Sequence, residues 1–166
     1  MGARNVHDLT LWCVYFVAFL LVCLSISIDG WFRYPSPFGA SLDVLKRNRG
    51  SLHTIIWIFL LLSLVLSVLC FVIQGVVFFL DYTGKTVKAQ KYLPFVTMGL
   101  AITGGILAVF VGILFLVDVH ALQSLNPTVD TLSPGCSLFL VIFGGILLMV
   151  SACLHFQVNK LNAVGP

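Results

Sequence analysis

Hydrophobic residues form four long, uninterrupted runs along this chain, separated by short polar segments. The runs cover approximately residues 9–28, 54–80, 93–117 and 137–156, and none of them contains Asp, Glu, Lys or Arg. An α-helix rises about 1.5 Å per residue, so about 20 residues cross the roughly 30 Å hydrocarbon core of a bilayer. Each run therefore predicts a membrane-spanning helix, and the predicted fold class is an all-α membrane protein, a bundle of four transmembrane helices with short loops.

The composition agrees with this class and limits the number of domains. Hydrophobic residues make up 60% of the 166 residues and charged residues only 9%, with a mean hydropathy of +1.09. The segments between the runs are too short to bury a core of their own, so residues 1–166 are expected to form a single four-span domain. The net charge of +3 is too small and too scattered to indicate a nucleic-acid partner.

The first run has two interpretations, a cleaved signal peptide and a retained span. Arg4 and the small-residue pattern Ser25-Ile26-Ser27 are compatible with a signal peptide. However, the run is longer than the 7–15 apolar residues of such peptides. In addition, Asp29-Gly30-Trp31 is typical of a chain leaving the membrane at its interface. We therefore interpret this run as a retained span.

The distribution of Lys and Arg predicts the orientation. With four spans, both termini share one side with the middle loop, which carries Lys85, Lys88 and Lys91. The third loop, residues 118–136, carries no Lys or Arg. The basic segment 46–49 of the first loop, on the same side as the third, argues against placing that side outside. By the positive-inside rule, both termini are expected in the cytoplasm, and the chain is expected in the plasma membrane.

Small residues predict where helices pack closely. Gly104, Ala108 and Gly112 follow one another at four-residue spacing on the third span, and Gly144 and Gly145 lie on the fourth. In lipid, helix association depends on close backbone approach through such residues. Two interpretations stay open: the faces pack against each other within one chain, or they dock a second subunit.

The first extracellular loop, residues 29–51, is the longest segment between spans. Its aromatic residues suit the headgroup zone, and a basic cluster follows them. The loop is either an interfacial anchor or a surface that binds lipid headgroups or a partner protein. The candidate contacts are Trp31, Phe32, Tyr34 and Arg47.

Residues that carry chemistry are sparse. The sequence has no HExxH, Cys-x-x-Cys, phosphate-binding glycine loop or Gly-x-Ser-x-Gly motif, so we expect no enzymatic activity, cofactor or metal. Gln74 is expected to find an interhelical partner, and His155 is expected near an interface where water reaches it. Most cysteines are expected to be buried as small hydrophobic residues, with palmitoylation of Cys153 as an alternative.

The order of these parts resembles the claudin and peripheral-myelin-protein superfamily of small tetraspans. The segment Ser25-Ile26-Ser27-Ile28-Asp29-Gly30-Trp31 is similar to the family's exit from the first span, with Trp31 at the tryptophan position. The span pattern of residues 57–71 and the Gly/Ala-rich third span are also similar. The first loop lacks the family's cysteine pair and is too short for its extracellular sheet, so the resemblance does not imply a paracellular pore. A MARVEL-type tetraspan is the rival family.

Together these features predict a non-enzymatic tetraspan that associates laterally in the membrane. Its partners would be other membrane proteins or further copies of itself, joined by helix packing, together with membrane lipids. It would be an accessory subunit of a larger membrane complex, or a component that organises cell junctions or membranes. The alternative is a small-solute or ion conductor, or an intramembrane enzyme with an unrecognised site. A polar cluster around Gln74 within the membrane would be the signature of that alternative.

Overall fold

The computed structural model describes residues 3–28, 32–33, 51–84, 92–125 and 133–163. Helices account for almost all of them: α1 spans Ala3–Ser27, α2 Ser51–Thr83, α3 Leu93–Leu125 and α4 Cys136–Ala163. Each of the four contains an apolar segment long enough to cross a membrane. The prediction of an all-α, multi-pass membrane bundle with four spans is therefore confirmed.

The helices extend beyond the apolar runs that predict them. Both α2 and α3 contain 33 residues, which corresponds to about 50 Å of helix. In particular, α3 continues through Asp118 and His120 to Leu125. Helical hydrogen bonding does not stop at a polar residue, so hydropathy marks the membrane-embedded part of a helix better than its end.

Local sequence accounts for the helix ends that face the middle loop. Gly84 follows α2 with a φ of +67°, the left-handed conformation that glycine adopts most easily at a helix C-terminus. Its N–H donates to the carbonyl of Asp81 at 3.4 Å. At the other end of the loop, Pro94 lies in the first turn of α3, where its missing N–H costs no helical hydrogen bond.

Consecutive helices run antiparallel and close into a ring. α1 and α3 each pack against both α2 and α4. The start of α1 and the end of α4 consequently lie at one end of the bundle, which we call the termini side. The opposite end is called the β side, because two short strands pair there.

These strands join the first and third loops. β1 (Phe32–Arg33) and β2 (Ser133–Pro134) are antiparallel, with Phe32 opposite Pro134 and Arg33 opposite Ser133. The sequence predicts no strand at either place. Pro134 is compatible with such a short edge strand, where a missing N–H is tolerated.

The interior contains two clusters of buried hydrophobic residues. The β-side cluster consists of Val22, Ile56, Leu60, Ala108, Val111, Phe115, Leu138 and Val141. The termini-side cluster consists of Leu11, Tyr15, Ala18, Cys70, Ala101, Leu148 and Ala152. The β-side cluster has larger side chains on average, whereas the termini-side cluster includes three alanines and a tyrosine.

Candidate functional site

The small residues predicted on α3 face two different neighbours. A Cβ added to Gly104 would lie 3.2 Å from Cβ of Leu66 on α2. A Cβ added to Gly112 would lie 2.5 Å from Cγ1 of Ile142 on α4, and Ala108 also faces α4, at Gly145. All three α3 positions are buried.

The two glycines predicted on α4 also face different helices. A Cβ added to Gly144 would lie 3.0 Å from Cγ2 of Val22 on α1. A Cβ added to Gly145 would lie 2.8 Å from the carbonyl oxygen of Gly105 and 2.9 Å from Cβ of Ala108, both on α3. Gly105, which the sequence also places on the small-residue surface of the third span, therefore lies against the backbone of α4 at Gly145.

These five predicted residues lie at the seams between the chain's own helices. Of the two interpretations left open by the sequence, this placement corresponds to packing within one chain. A second subunit that docks on the helices would have to contact the lipid-facing surface instead. That surface consists mainly of large side chains such as Ile58, Val65, Ile106 and Phe143.

The predicted outer contacts fall mostly outside the described residues. Trp31, Tyr34 and Arg47 are not described. Phe32 belongs to β1, where its backbone pairs with Pro134. The pairing therefore brings the loop that carries these candidates next to the third loop on the β side.

Buried hydroxyl groups donate to backbone carbonyls. Ser25, Ser67 and Ser151 each donate within their own helix, at 2.6–2.8 Å. Two serines instead connect neighbouring helices. Ser63 of α2 donates to the Gly104 carbonyl of α3 at 2.9 Å, and Ser137 of α4 donates to the Ile28 carbonyl after α1 at 2.8 Å. The bonds of Ser63 and Ser137 therefore connect neighbouring segments of the bundle, and those of Ser25, Ser67 and Ser151 satisfy hydroxyls within one helix.

Three other buried polar side chains have atoms without a hydrogen-bond partner. Gln74 is fully buried, and both its amide nitrogen and its amide oxygen lack a partner. The same is true of the Tyr15 hydroxyl and of Nδ1 of His155. The expected interhelical partner of Gln74 is therefore not observed among the described residues.

The expectation that His155 lies at an interface open to bulk water is not met, because its side chain is turned into the bundle. His155 is only 3% exposed. The physical reason is the face of α4 on which it lies: His155 follows the buried Ser151 by four residues, whereas its neighbours Leu154 and Phe156 are exposed.

The cysteines differ from the expectation that most are buried. Only Cys70 is buried, and its thiol donates to the Thr97 carbonyl at 3.6 Å. Cys13, Cys136 and Cys153 are exposed. A thiol is apolar enough to face lipid as readily as a protein core, which explains why burial is not required. Among the described residues, no group of three or more His, Cys, Asp or Glu side chains is arranged to hold a metal ion.

Neither a protein-family model nor a curated protein sequence matches this chain.

Proposed function

We propose that this chain is a non-enzymatic tetraspan that associates laterally with membrane proteins, as an accessory subunit or as an organiser of junctions or membranes. The observation that carries the proposal is the pairing of β1 with β2. This pairing joins a segment that follows α1 to the segment that precedes α4, so the two meet on the β side. A partner would contact the two segments as a unit.

The length of α3 supports a role for the same side of the molecule. Gly112 lies level with Leu138, close to the start of α4. From there α3 continues for a further 13 residues to Leu125, about 20 Å. The last turns of α3 therefore extend beyond the start of α4, at the same end of the bundle as the paired strands.

The packing of the β-side half of the bundle supports association over conduction. Leu60, Val111, Leu138 and Val141 are all at most 1% exposed there, and the hydroxyls of Ser25, Ser63 and Ser137 are bonded to carbonyls. A solute moving along the bundle axis would have to displace this apolar packing.

Orientation and location are part of the proposal. We place the β side outside the cell and both termini in the cytoplasm of the plasma membrane, because the third loop has no Lys or Arg and the middle loop has three lysines. The resemblance to claudin-type tetraspans is compatible with this arrangement of spans and loops.

Affinity purification of the tagged chain in nanodiscs, with quantitative mass spectrometry, tests the proposal. The comparison is between the unaltered chain, a variant with Trp31, Phe32, Tyr34 and Arg47 all replaced by alanine, and a lipid-facing control, Phe79→Ala. We expect a stoichiometric membrane protein, or a defined homo-oligomer, that the control retains and the loop variant loses. A chain that purifies alone and as a monomer would contradict lateral association.

A second candidate function is favoured by one observation. The unpartnered atoms of Gln74, Tyr15 and His155 form the polar signature within the membrane that a conductor or intramembrane enzyme requires. Ion or solute flux through the purified chain in sealed vesicles would establish this alternative. Any partner found by affinity purification would then be secondary to transport.

A further inference from the structure

The termini-side half of the bundle contains buried polar groups from three helices that have no hydrogen-bond partner among the described residues, in a region surrounded by lipid. They are the Tyr15 hydroxyl on α1, the Gln74 amide on α2 and His155 Nδ1 on α4. All three side chains are at least 97% buried. Leaving such groups unsatisfied inside a bilayer is costly, because no bulk water is present to bond them.

The three groups lie on interior faces that meet in the same half of the bundle. The Tyr15 hydroxyl faces the Ser151 side chain of α4, without the full geometry of a hydrogen bond, and lies near Cys70 of α2. Gln74 follows Cys70 by four residues, and His155 follows Ser151 by four residues. Residues at this spacing share one helix face, about 6 Å apart along the axis. Gln74 and His155 therefore both lie one turn nearer to the termini side than the level of Tyr15.

We propose that Tyr15, Gln74 and His155 line a buried polar site that holds a small cluster of water molecules. Water fits the chemistry of the lining, because an amide, a phenol and an imidazole offer both donors and acceptors. A buried water molecule needs two to four such partners. Each unpartnered atom gains a hydrogen bond in this way, whereas an apolar ligand would leave all of them unsatisfied.

The buried neighbours on the termini side include more small side chains than those on the β side. The termini-side cluster contains Ala18, Ala101 and Ala152, whereas the β-side cluster contains a single alanine, Ala108. Small neighbours favour the entry of water beside the polar groups, because a cavity stays dry only where its walls are apolar.

Water reaches the site from the termini side. Asp8, another buried polar residue, lies on α1 between Tyr15 and the helix start. In the opposite direction, Leu60, Val111 and Val141 close the interior. Water would therefore enter from the termini side only, and the site adds a hydrated interior to a chain that is otherwise proposed to act through its outer surface.

Reaction of single cysteines with a small, charged methanethiosulfonate tests whether water enters. In a background with the five native cysteines replaced by alanine, Gln74→Cys is compared with Leu60→Cys in nanodiscs. Both positions lie on the buried face of α2 and are at most 1% exposed. We expect Gln74→Cys to react about tenfold faster or more, since reaction requires aqueous access to the thiol. Equal, slow reaction at both positions would overturn the proposal.

Radiolytic hydroxyl labelling of the unaltered chain provides a readout that needs no substitution, and it decides the matter if Gln74→Cys fails to fold. Radicals formed from bound water modify the side chains next to it. We expect modification of Tyr15 and His155 despite their burial, and none of Phe115, which is 4% exposed in the β-side cluster. Protection of Tyr15 and His155 to the same degree as Phe115 would show a dry interior and overturn the proposal.

Discussion

Gly105 and Gly145 bring the backbones of α3 and α4 into direct contact. A Cβ added to Gly105 would lie 2.7 Å from the Gly145 carbonyl oxygen, and one added to Gly145 would lie 2.8 Å from the Gly105 carbonyl oxygen. Real Cβ atoms do not approach a backbone oxygen so closely, so the helices would have to separate to admit a methyl group. This contact fixes the distance between α3 and α4.

Gly105→Ala is therefore expected to lower the free energy of unfolding by about 1–3 kcal/mol, the usual cost of overpacking a tight interior. Gly99→Ala is the matched control on the same helix, because an added Cβ there has nothing within 4 Å. That variant is expected to gain about 0.5–1 kcal/mol from the better helix propensity of alanine. Reversible unfolding in mixed detergent measures the free energy of unfolding of both variants. Equal stability of the two would contradict the close packing of α3 on α4 at Gly105.

The hydroxyl of Ser63 provides a second interhelical contact, at 2.9 Å from the Gly104 carbonyl oxygen. Ser63→Ala is expected to cost about 0.6 kcal/mol, the average for interhelical hydrogen bonds in membranes. Thr103→Ala is the control, because its hydroxyl bonds to the Gly99 carbonyl of its own helix and should contribute little. The same unfolding assay distinguishes them, and a cost for Thr103→Ala equal to that for Ser63→Ala would argue against an interhelical role.

The existence and number of the helices follow from the sequence because a long run without charges has few alternatives in lipid. The inward face of each helix does not follow, because lipid and protein core are both apolar. Phe110 is 44% exposed on α3, whereas Phe115 on the same helix is 4% exposed, and hydropathy treats them alike. Small residues and hydroxyl-bearing residues indicate the inward face better than hydropathy does, as Gly105 and Ser63 show.

Two features of the candidate sites had no usable signal in the sequence. The strand pair involves only Phe32–Arg33 and Ser133–Pro134, segments too short to show alternation. The burial of His155 depends on which face of α4 turns inward, and its neighbours Leu154 and Phe156 are exposed. The depth of Gln74 was predictable from its position within the second run, but the lack of a partner was not.

Aromatic rings connect α1 to α2 along their shared seam. The Trp12 ring stacks on Phe71 with centroids 5.3 Å apart, and on Phe78 at 6.4 Å. A double-mutant cycle of Trp12→Ala and Phe71→Ala is expected to give a coupling energy of about 0.5–1.5 kcal/mol. The control cycle combines Trp12→Ala with Phe79→Ala. Phe79 is 63% exposed, so its effect should add to that of Trp12→Ala without coupling. Coupling of the same size in both cycles would mean that the stacking contributes nothing specific.

The register of the strand pair predicts a cross-link that also reports orientation. Arg33 and Ser133 are directly opposed, and opposed residues in antiparallel strands have Cα atoms about 4.5–5.5 Å apart, within the range of a disulfide. The double variant Arg33→Cys/Ser133→Cys, in a chain without its native cysteines, should form a disulfide on mild oxidation. The control Arg33→Cys/Gly84→Cys should not, because Gly84 lies on the termini side.

The same disulfide reports which side of the membrane the strands occupy. With the β side outside, a reductant that cannot cross the membrane should cleave it in intact cells, as measured by the mobility of the chain after thiol alkylation. A disulfide that resists this reductant but yields to a membrane-permeant one would place the strands inside the cell. That result would reverse the proposed orientation, because all four helices alternate in direction and the termini lie opposite the strands. It would also leave the surface proposed for partners facing the cytoplasm, where a junctional role has no neighbouring cell to contact.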